Sequence, residues 1–167
     1  MKNIYLVGFM GTGKTIVGKI LAGKLKLKFI EMDDTIEKEE GSPITEIFAT
    51  KGEQYFRKLE TSLLKKISKE TNLVVSCGGG LICNEENLRM LKETGTTFNL
   101  AAEAKTIYER IKKHSHRPLL NVANPTLKID ELMHKRAQYY EQAHHTINTD
   151  EISPDEVADK IIDILNG

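Results

Sequence analysis

The sequence predicts an α/β fold on a mainly parallel sheet, and three observations predict it. Short apolar runs alternate with helical patterns along the chain. The runs carry little charge, as strands covered on both faces do. The first of them passes through a glycine-rich loop directly into a helical pattern, which is how a parallel strand starts its crossover. Strands are expected at 3–7, 28–31, 73–76, 97–100 and 146–148.

Taken in order, Ile4-Tyr5-Leu6-Val7 is the first strand, and Gly8-Phe9-Met10-Gly11-Thr12-Gly13-Lys14-Thr15 follows it. That run matches G-x-x-x-x-G-K-[ST] in the strand–loop–helix setting that a phosphate-binding loop requires. Its glycines let backbone N–H groups converge on one point, and the next helix adds its positive end. Lys14 supplies a charge for β- and γ-phosphates, and Thr15 a hydroxyl for Mg²⁺. The helix after it presents Ile16, Val17, Ile20, Leu21 and Leu25 on one face.

Further along, Ser42-Pro43 reads as an N-cap followed by proline at the first helical position. Asn84-Glu85-Glu86 opens another helix that Gly95 stops. Ser153-Pro154-Asp155-Glu156 has capping-box spacing and starts the last helix, with Val157, Ile161, Ile164 and Leu165 as its apolar face. Residues 112–125, with two prolines, interrupt the alternation and read as a surface flap.

The 167 residues are expected to form one domain, 1–167, with a lid at about 112–125. Lys plus Arg and Asp plus Glu are both 24, which argues against a general nucleic-acid binder. No apolar stretch approaches membrane-spanning length and no leader pattern precedes the first strand, so no membrane association and a cytoplasmic location are expected. Cys77 and Cys83 are too few for a disulfide framework and read as reduced thiols.

Five more clusters could carry chemistry. Glu31-Met32-Asp33-Asp34 ends the second strand, on the sheet edge that faces the ligand crevice. A carboxylate there can hold Mg²⁺ or take a hydroxyl proton, and Asp33 is the candidate. Asp34 reads as the cap of a helix over 35–40. Arg57, on a helix within 53–69, is a solvated residue unless it turns inward to grip an anion. Gly78-Gly79-Gly80 follows the third strand, fills no core, and marks a close approach to the backbone. Arg117, in the flap, could close over phosphates or stay solvated. Arg136, with Leu132 and Tyr140 at helical spacing, is ambiguous, and packing explains the tyrosines. His114, His116, His144 and His145 lack metal-ligand spacing and read as solvent-side or satisfied.

Together and in this order, these segments resemble the shikimate kinase family over essentially the whole chain. The matching parts are Gly8 to Thr15, Met32-Asp33, Ile47-Phe48-Ala49 through Gly52-Glu53 and Phe56-Arg57, Gly78-Gly79-Gly80, Arg117-Pro118-Leu119-Leu120, and Arg136 with Tyr140. The resemblance implies a three-layer P-loop fold like the nucleoside monophosphate kinases, with strand order 2-3-1-4-5. It implies phosphorylation of the shikimate 3-hydroxyl by ATP, on the route to chorismate and aromatic amino acids. Under it, ATP is held by Gly11, Thr12, Gly13, Lys14, Thr15 and Ile16, and by the lid residue Arg117. Arg110 and Pro154 would sandwich the adenine. Shikimate is held by Asp33, Arg57, Gly78, Gly79, Gly80 and Arg136, and Lys14, Asp33 and Arg117 are catalytic. Mg²⁺ is the implied cofactor, on Thr15 and through water on Glu31. The expected partners are ATP and shikimate, with no nucleic acid, no membrane and a monomeric chain. One departure stands out: the family shows Asp-x-Asp where this chain has Glu31-Met32-Asp33. The rival readings are another small-metabolite kinase of the gluconate type, and a non-catalytic nucleotide-binding regulatory domain.

Overall fold

In a computed structural model, residues 1–113 and 122–167 are described. Arg117 and most of the expected lid at 112–125 therefore lie outside the described residues, as do His114 and His116. Five parallel strands run in the order β2-β3-β1-β4-β5. They are β1 (Asn3–Val7), β2 (Lys28–Glu31), β3 (Leu73–Ser76), β4 (Gly95–Ala101) and β5 (His145–Asn148). The helices are α1 (Lys14–Leu25), α2 (Met32–Glu40), α3 (Ile44–Lys51), α4 (Glu53–Ile67), α5 (Glu85–Thr94), α6 (Ala104–Ile111), α7 (Pro125–Tyr140) and α8 (Pro154–Asn166).

The period-two geometry of a strand builds both cores from one sheet. Tyr5, Val7, Leu73 and Val75 face one layer, filled by α2 to α7 through residues such as Ile36, Phe56, Leu64, Leu91 and Ile107. Ile4, Leu6, Val74, Phe98 and Leu100 face the other, closed by Val17 and Leu21 of α1 and Val157 and Ile161 of α8. The central strands β1, β3 and β4 are covered on both faces and read as apolar runs, whereas the edge strands β2 and β5 stay largely half-exposed, against the expectation of strands covered on both faces.

Several local expectations need correction. Strand β4 starts at Gly95 rather than at 97, so that glycine both ends α5 and opens the strand. Ile16 and Ile164 do not pack: they are 57% and 37% exposed, because α1 and α8 bury narrower stripes than their apolar patterns suggest. Helix α3 begins one residue later than expected, with Pro43 as its N-cap and Glu37 Oε2 accepting from the Ile44 N–H at 2.9 Å. Asp34 does not cap a helix; it lies in the first turn of α2, which Glu31 caps by accepting from the Asp33 N–H. The other two starts hold, with Asn84 capping α5 and a full Ser153/Glu156 capping box on α8.

Register aligns the functional edge. Leu6 lies beside Ser76, and Ser76 beside Glu31. The carboxyl ends of β1, β3 and β2 therefore release Gly8, Cys77 and Met32 at one level. The crevice forms beyond the central strand, where successive connections diverge to opposite sides of the sheet.

Candidate active site

The loop after β1 is built before any ligand arrives. A Cβ on Gly8 would collide with the Leu100 carbonyl, and its φ of 137° suits only glycine. Thr12 Oγ1 donates to the Phe9 carbonyl at 2.8 Å. Lys14 is 8% exposed and donates through Nζ to the carbonyls of Gly8 (2.7 Å) and Phe9 (2.9 Å), so its ammonium sits over the loop. Thr15, the next residue, donates from Oγ1 to Glu31 Oε2 at 2.7 Å. One carboxylate thus serves both the loop hydroxyl and the cap of α2.

Asp33 follows in the first turn of α2. Its Oδ1 is buried, and among the described residues no protein group donates to it. Burial, and then the nearby Glu31 charge, push its carboxyl from 3.8 up to about 6, against the pull of Lys14. A buried carboxylate oxygen without a donor is costly, and one facing a cavity is poised for a ligand hydroxyl.

Two cavities meet at this residue. One, of about 310 Å³, is lined by Gly11, Gly13, Lys14, Thr15, Glu31 and Asp33. The other, of about 480 Å³, is lined by Asp33, Arg57, Glu60, Gly78 to Gly80 and Arg136, with an apolar wall of Ile44, Phe48 and Phe56. Phe48 and Phe56 pack with ring centroids 5.0 Å apart. Ile16 lines the first cavity, so its exposure on α1 is exposure to the crevice.

The structure turns Arg57 inward. Its Nη1 bonds Glu60 Oε1 at 2.6 Å, and its Nη2 bonds the more exposed Glu53 at 3.2 Å. Glu60 is 1% exposed; burial raises its carboxyl while Arg57 holds it down. Arg136 reaches the same cavity from α7, with its guanidinium 5.5 Å from the Phe9 ring centroid. The glycines make this convergence fit. A Cβ on Gly80 would stand 2.6 Å from Arg57 Nη2, and one on Gly78 would stand 2.8 Å from Glu60 Oε2 and 3.0 Å from Asp33 Oδ1.

Arg110 crosses from α6 to donate to the Gly11 carbonyl (3.2 Å) and to Thr149 Oγ1 (3.1 Å) and its carbonyl (2.8 Å). Pro154 opens α8 at the end of the connection that begins at Thr149. Arg110 thus stands on the phosphate loop. His144 is satisfied by the Thr97 N–H and hydroxyl, and His145 stacks on Phe98. Cys77 and Cys83 are free thiols, and burial raises both.

Sequence reasoning missed Glu60, Thr149 and the role of Tyr140, whose hydroxyl donates to the Gly79 carbonyl at 2.6 Å. Glu60 left one signal, its i+3 spacing from Arg57. Thr149 left none and Tyr140 only its helical spacing from Arg136 and its place in the family match, since their partners are 39 and 61 residues away.

Thr15 and Glu31 also bear on metal binding. A hydroxyl backed by a carboxylate offers the hard oxygens that Mg²⁺ prefers. Among the described residues no group of three or more His, Cys, Asp or Glu could hold a metal. Among the described residues, no helix is long and apolar enough to cross a membrane.

Comparison with known proteins agrees with this geometry. The family model described as shikimate kinase matches residues 10–166. The shikimate kinase of Thermodesulfovibrio yellowstonii is 47% identical over 162 residues, covering 97% of this chain and 94% of that protein. The structure of the Acinetobacter baumannii shikimate kinase in complex with shikimate superposes with a TM-score of 0.93 at 38% identity, covering 99% of this chain and 93% of that one. The Aquifex aeolicus shikimate kinase structure gives a TM-score of 0.87 at 41% identity, covering 99% and 96%.

Proposed function

The chain belongs to the shikimate kinase family, and on that premise we propose that it transfers the γ-phosphoryl group of ATP to the 3-hydroxyl of shikimate. The products are shikimate 3-phosphate and ADP. One observation carries the reading: a phosphate-loop cavity and an arginine-lined cavity meet at a single buried carboxylate, Asp33. Shikimate is an anion with neighbouring hydroxyls, and the larger cavity offers two guanidiniums for its carboxylate and one base for a hydroxyl.

The residues divide the work. Arg57 and Arg136 grip the substrate carboxylate, and the Gly78–Gly80 backbone lets the ring approach. Asp33 orients the hydroxyl and takes its proton as that oxygen attacks the γ-phosphorus. The bond from phosphorus to the β,γ-bridging oxygen breaks, and ADP leaves. Lys14 moves from the Gly8 and Phe9 carbonyls onto the β- and γ-phosphates, where it offsets the charge that develops there. Thr15 would ligate Mg²⁺, with Glu31 acting through water. Mg²⁺ held there would supply charge neutralisation for the nucleotide phosphates. Arg110 and Pro154 are assigned to the adenine, and Arg117 to the phosphates, by family resemblance. The same reading takes the chain to work as a monomer in the cytoplasm.

ADP release measured with shikimate, with gluconate and with neither tests the assignment. Release should depend on shikimate alone. Equal release with gluconate would shift the reading to a broader small-metabolite kinase, and none with either acid would leave a nucleotide-binding domain.

Three substitutions probe the parts. Arg57→Ala and Arg136→Ala should each weaken shikimate about tenfold to a hundredfold in calorimetry while sparing ATP, the scale of a charge-assisted contact. Arg57→Ala should also lower the melting temperature more than Arg136→Ala, because it leaves Glu60 buried without its partner. Unchanged shikimate affinity in both variants would remove the clamp. For Glu31→Gln, the Mg²⁺ concentration giving half-maximal rate should rise while the KM for shikimate holds; a flat Mg²⁺ titration would detach Glu31 from the metal.

A further inference from the structure

The Gly78–Gly80 segment has no side chains, so its backbone geometry depends on outside hydrogen bonds. The Gly78 and Gly80 carbonyls accept from Leu81 and Cys83 N–H at 3.1 Å each, inside the short turn that follows. The middle carbonyl is held differently. Gly79 O accepts from Tyr140 Oη at 2.6 Å, across 61 residues of sequence. Tyr140 is 7% exposed and lies one helical turn beyond Arg136 on α7. Burial pushes its hydroxyl up to about 12, which keeps it a donor at every physiological pH.

The Gly79 carbonyl and the Gly80 N–H belong to one trans peptide plane, and in such a plane they point in opposite directions. Fixing the carbonyl on Tyr140 therefore turns the N–H away from that hydroxyl, and Arg57 stands against the same residue, with its Nη2 2.6 Å from where a Gly80 Cβ would lie. Among the described residues no protein acceptor takes that N–H. An unsatisfied N–H on the residue that Arg57 stands against, in a cavity that Arg136 also lines, suits an anionic oxygen.

We propose that Tyr140 is a positioning residue for the substrate anion: by holding the Gly79 carbonyl, it aims the Gly80 N–H at the carboxylate gripped by Arg57 and Arg136. The inference rests on reading the larger cavity as the shikimate site. Tyr140 touches neither the transferred phosphoryl group nor the attacking hydroxyl, so its effect falls on substrate binding. The helix that carries Arg136 thus sets two of the carboxylate's contacts, one directly and one through the glycine backbone.

Tyr140→Phe removes one oxygen and keeps the ring in its place. The KM for shikimate should rise about tenfold, with kcat within about twofold and the KM for ATP unchanged, as for one hydrogen bond to a charged group. The neutral carboxamide of shikimate, used as a competitor, should bind both proteins equally, because it lacks the anion that the N–H serves. In ¹⁵N-labelled wild-type protein, the Gly80 amide proton should move downfield on adding shikimate. Equal weakening of acid and carboxamide, a parallel loss of ATP affinity, or an unchanged KM would each overturn the proposal. Should the variant fold poorly, a Gly80 amide that stays still in the wild-type titration overturns it as well. Wild-type protein that consumed no ATP with shikimate would overturn the substrate reading, and this proposal with it.

Discussion

Lys14→Ala should fold normally and lose at least about a hundredfold in kcat, the scale of removing one preorganised electrostatic contact from a transition state. Lys14 donates to the carbonyls of Gly8 and Phe9 at the mouth of the phosphate cavity. Among the described residues no other lysine lines that cavity. Truncation leaves the glycine-rich backbone with its N–H groups, so nucleotide still binds, but charge accumulating on the transferring group goes unmatched. A single-turnover measurement with saturating ATP and shikimate separates the two effects. A folded variant with near-normal single-turnover rate would remove Lys14 from the chemistry. Some stability should be lost as well, because two buried carbonyls lose one donor each.

Asp33→Asn should abolish most turnover while making the unliganded protein more stable at neutral pH. A carboxamide cannot accept the hydroxyl proton, so general-base assistance of about 10² to 10⁴ is lost. The gain in stability follows from linkage. The folded-state value of Asp33 is raised from 3.8 to about 6, mainly by burial. The folded state therefore binds the proton more tightly than the unfolded chain. This contribution is fully present below pH 3.8 and is lost as pH rises through about 6. A rise of that size corresponds to about 3 kcal/mol, an upper figure that relaxation reduces. Asn is neutral throughout, so the variant should melt higher than wild type at pH 8, and the gap should close near pH 4. Wild-type kcat/KM should rise with pH along a limb with an apparent pKa of about 6, and the variant's residual rate should lack that limb. Equal melting temperatures at pH 8 would show that Asp33 is not held ionised against its surroundings. A low-activity variant that keeps the acidic limb would move the base elsewhere.

The second prediction places a stability cost at the reacting carboxylate, as expected where a site is built for a ligand rather than for itself. The same holds for Gly78 to Gly80, which give up side-chain packing so that Arg57, Glu60, Asp33 and Arg136 can converge on one backbone.

What the sequence determined by itself depends on neighbours along the chain. The apolar runs of β1, β2 and β3, the glycine loop through Thr15, and the caps at Asn84 and Ser153 are set within a few residues of their own positions. The order of motifs added the family, and with it the strand order. The tertiary structure alone decided which side chains face one another across that frame. Arg57 reads as an ordinary helical arginine until the fold sets it against Gly80 and Glu60. Glu31 reads as a strand-end acid until Thr15 arrives from a different element. Ile16 and Ile164 keep an apolar spacing that the packed layers do not use. Tyr140 reads as packing, and only the return of α7 beside the end of β3 gives its hydroxyl the Gly79 carbonyl. The physical reason is range. Strand, loop and cap energies arise among residues close in sequence, whereas burial, ion pairing and backbone positioning arise among groups that only the completed fold brings within hydrogen-bond distance.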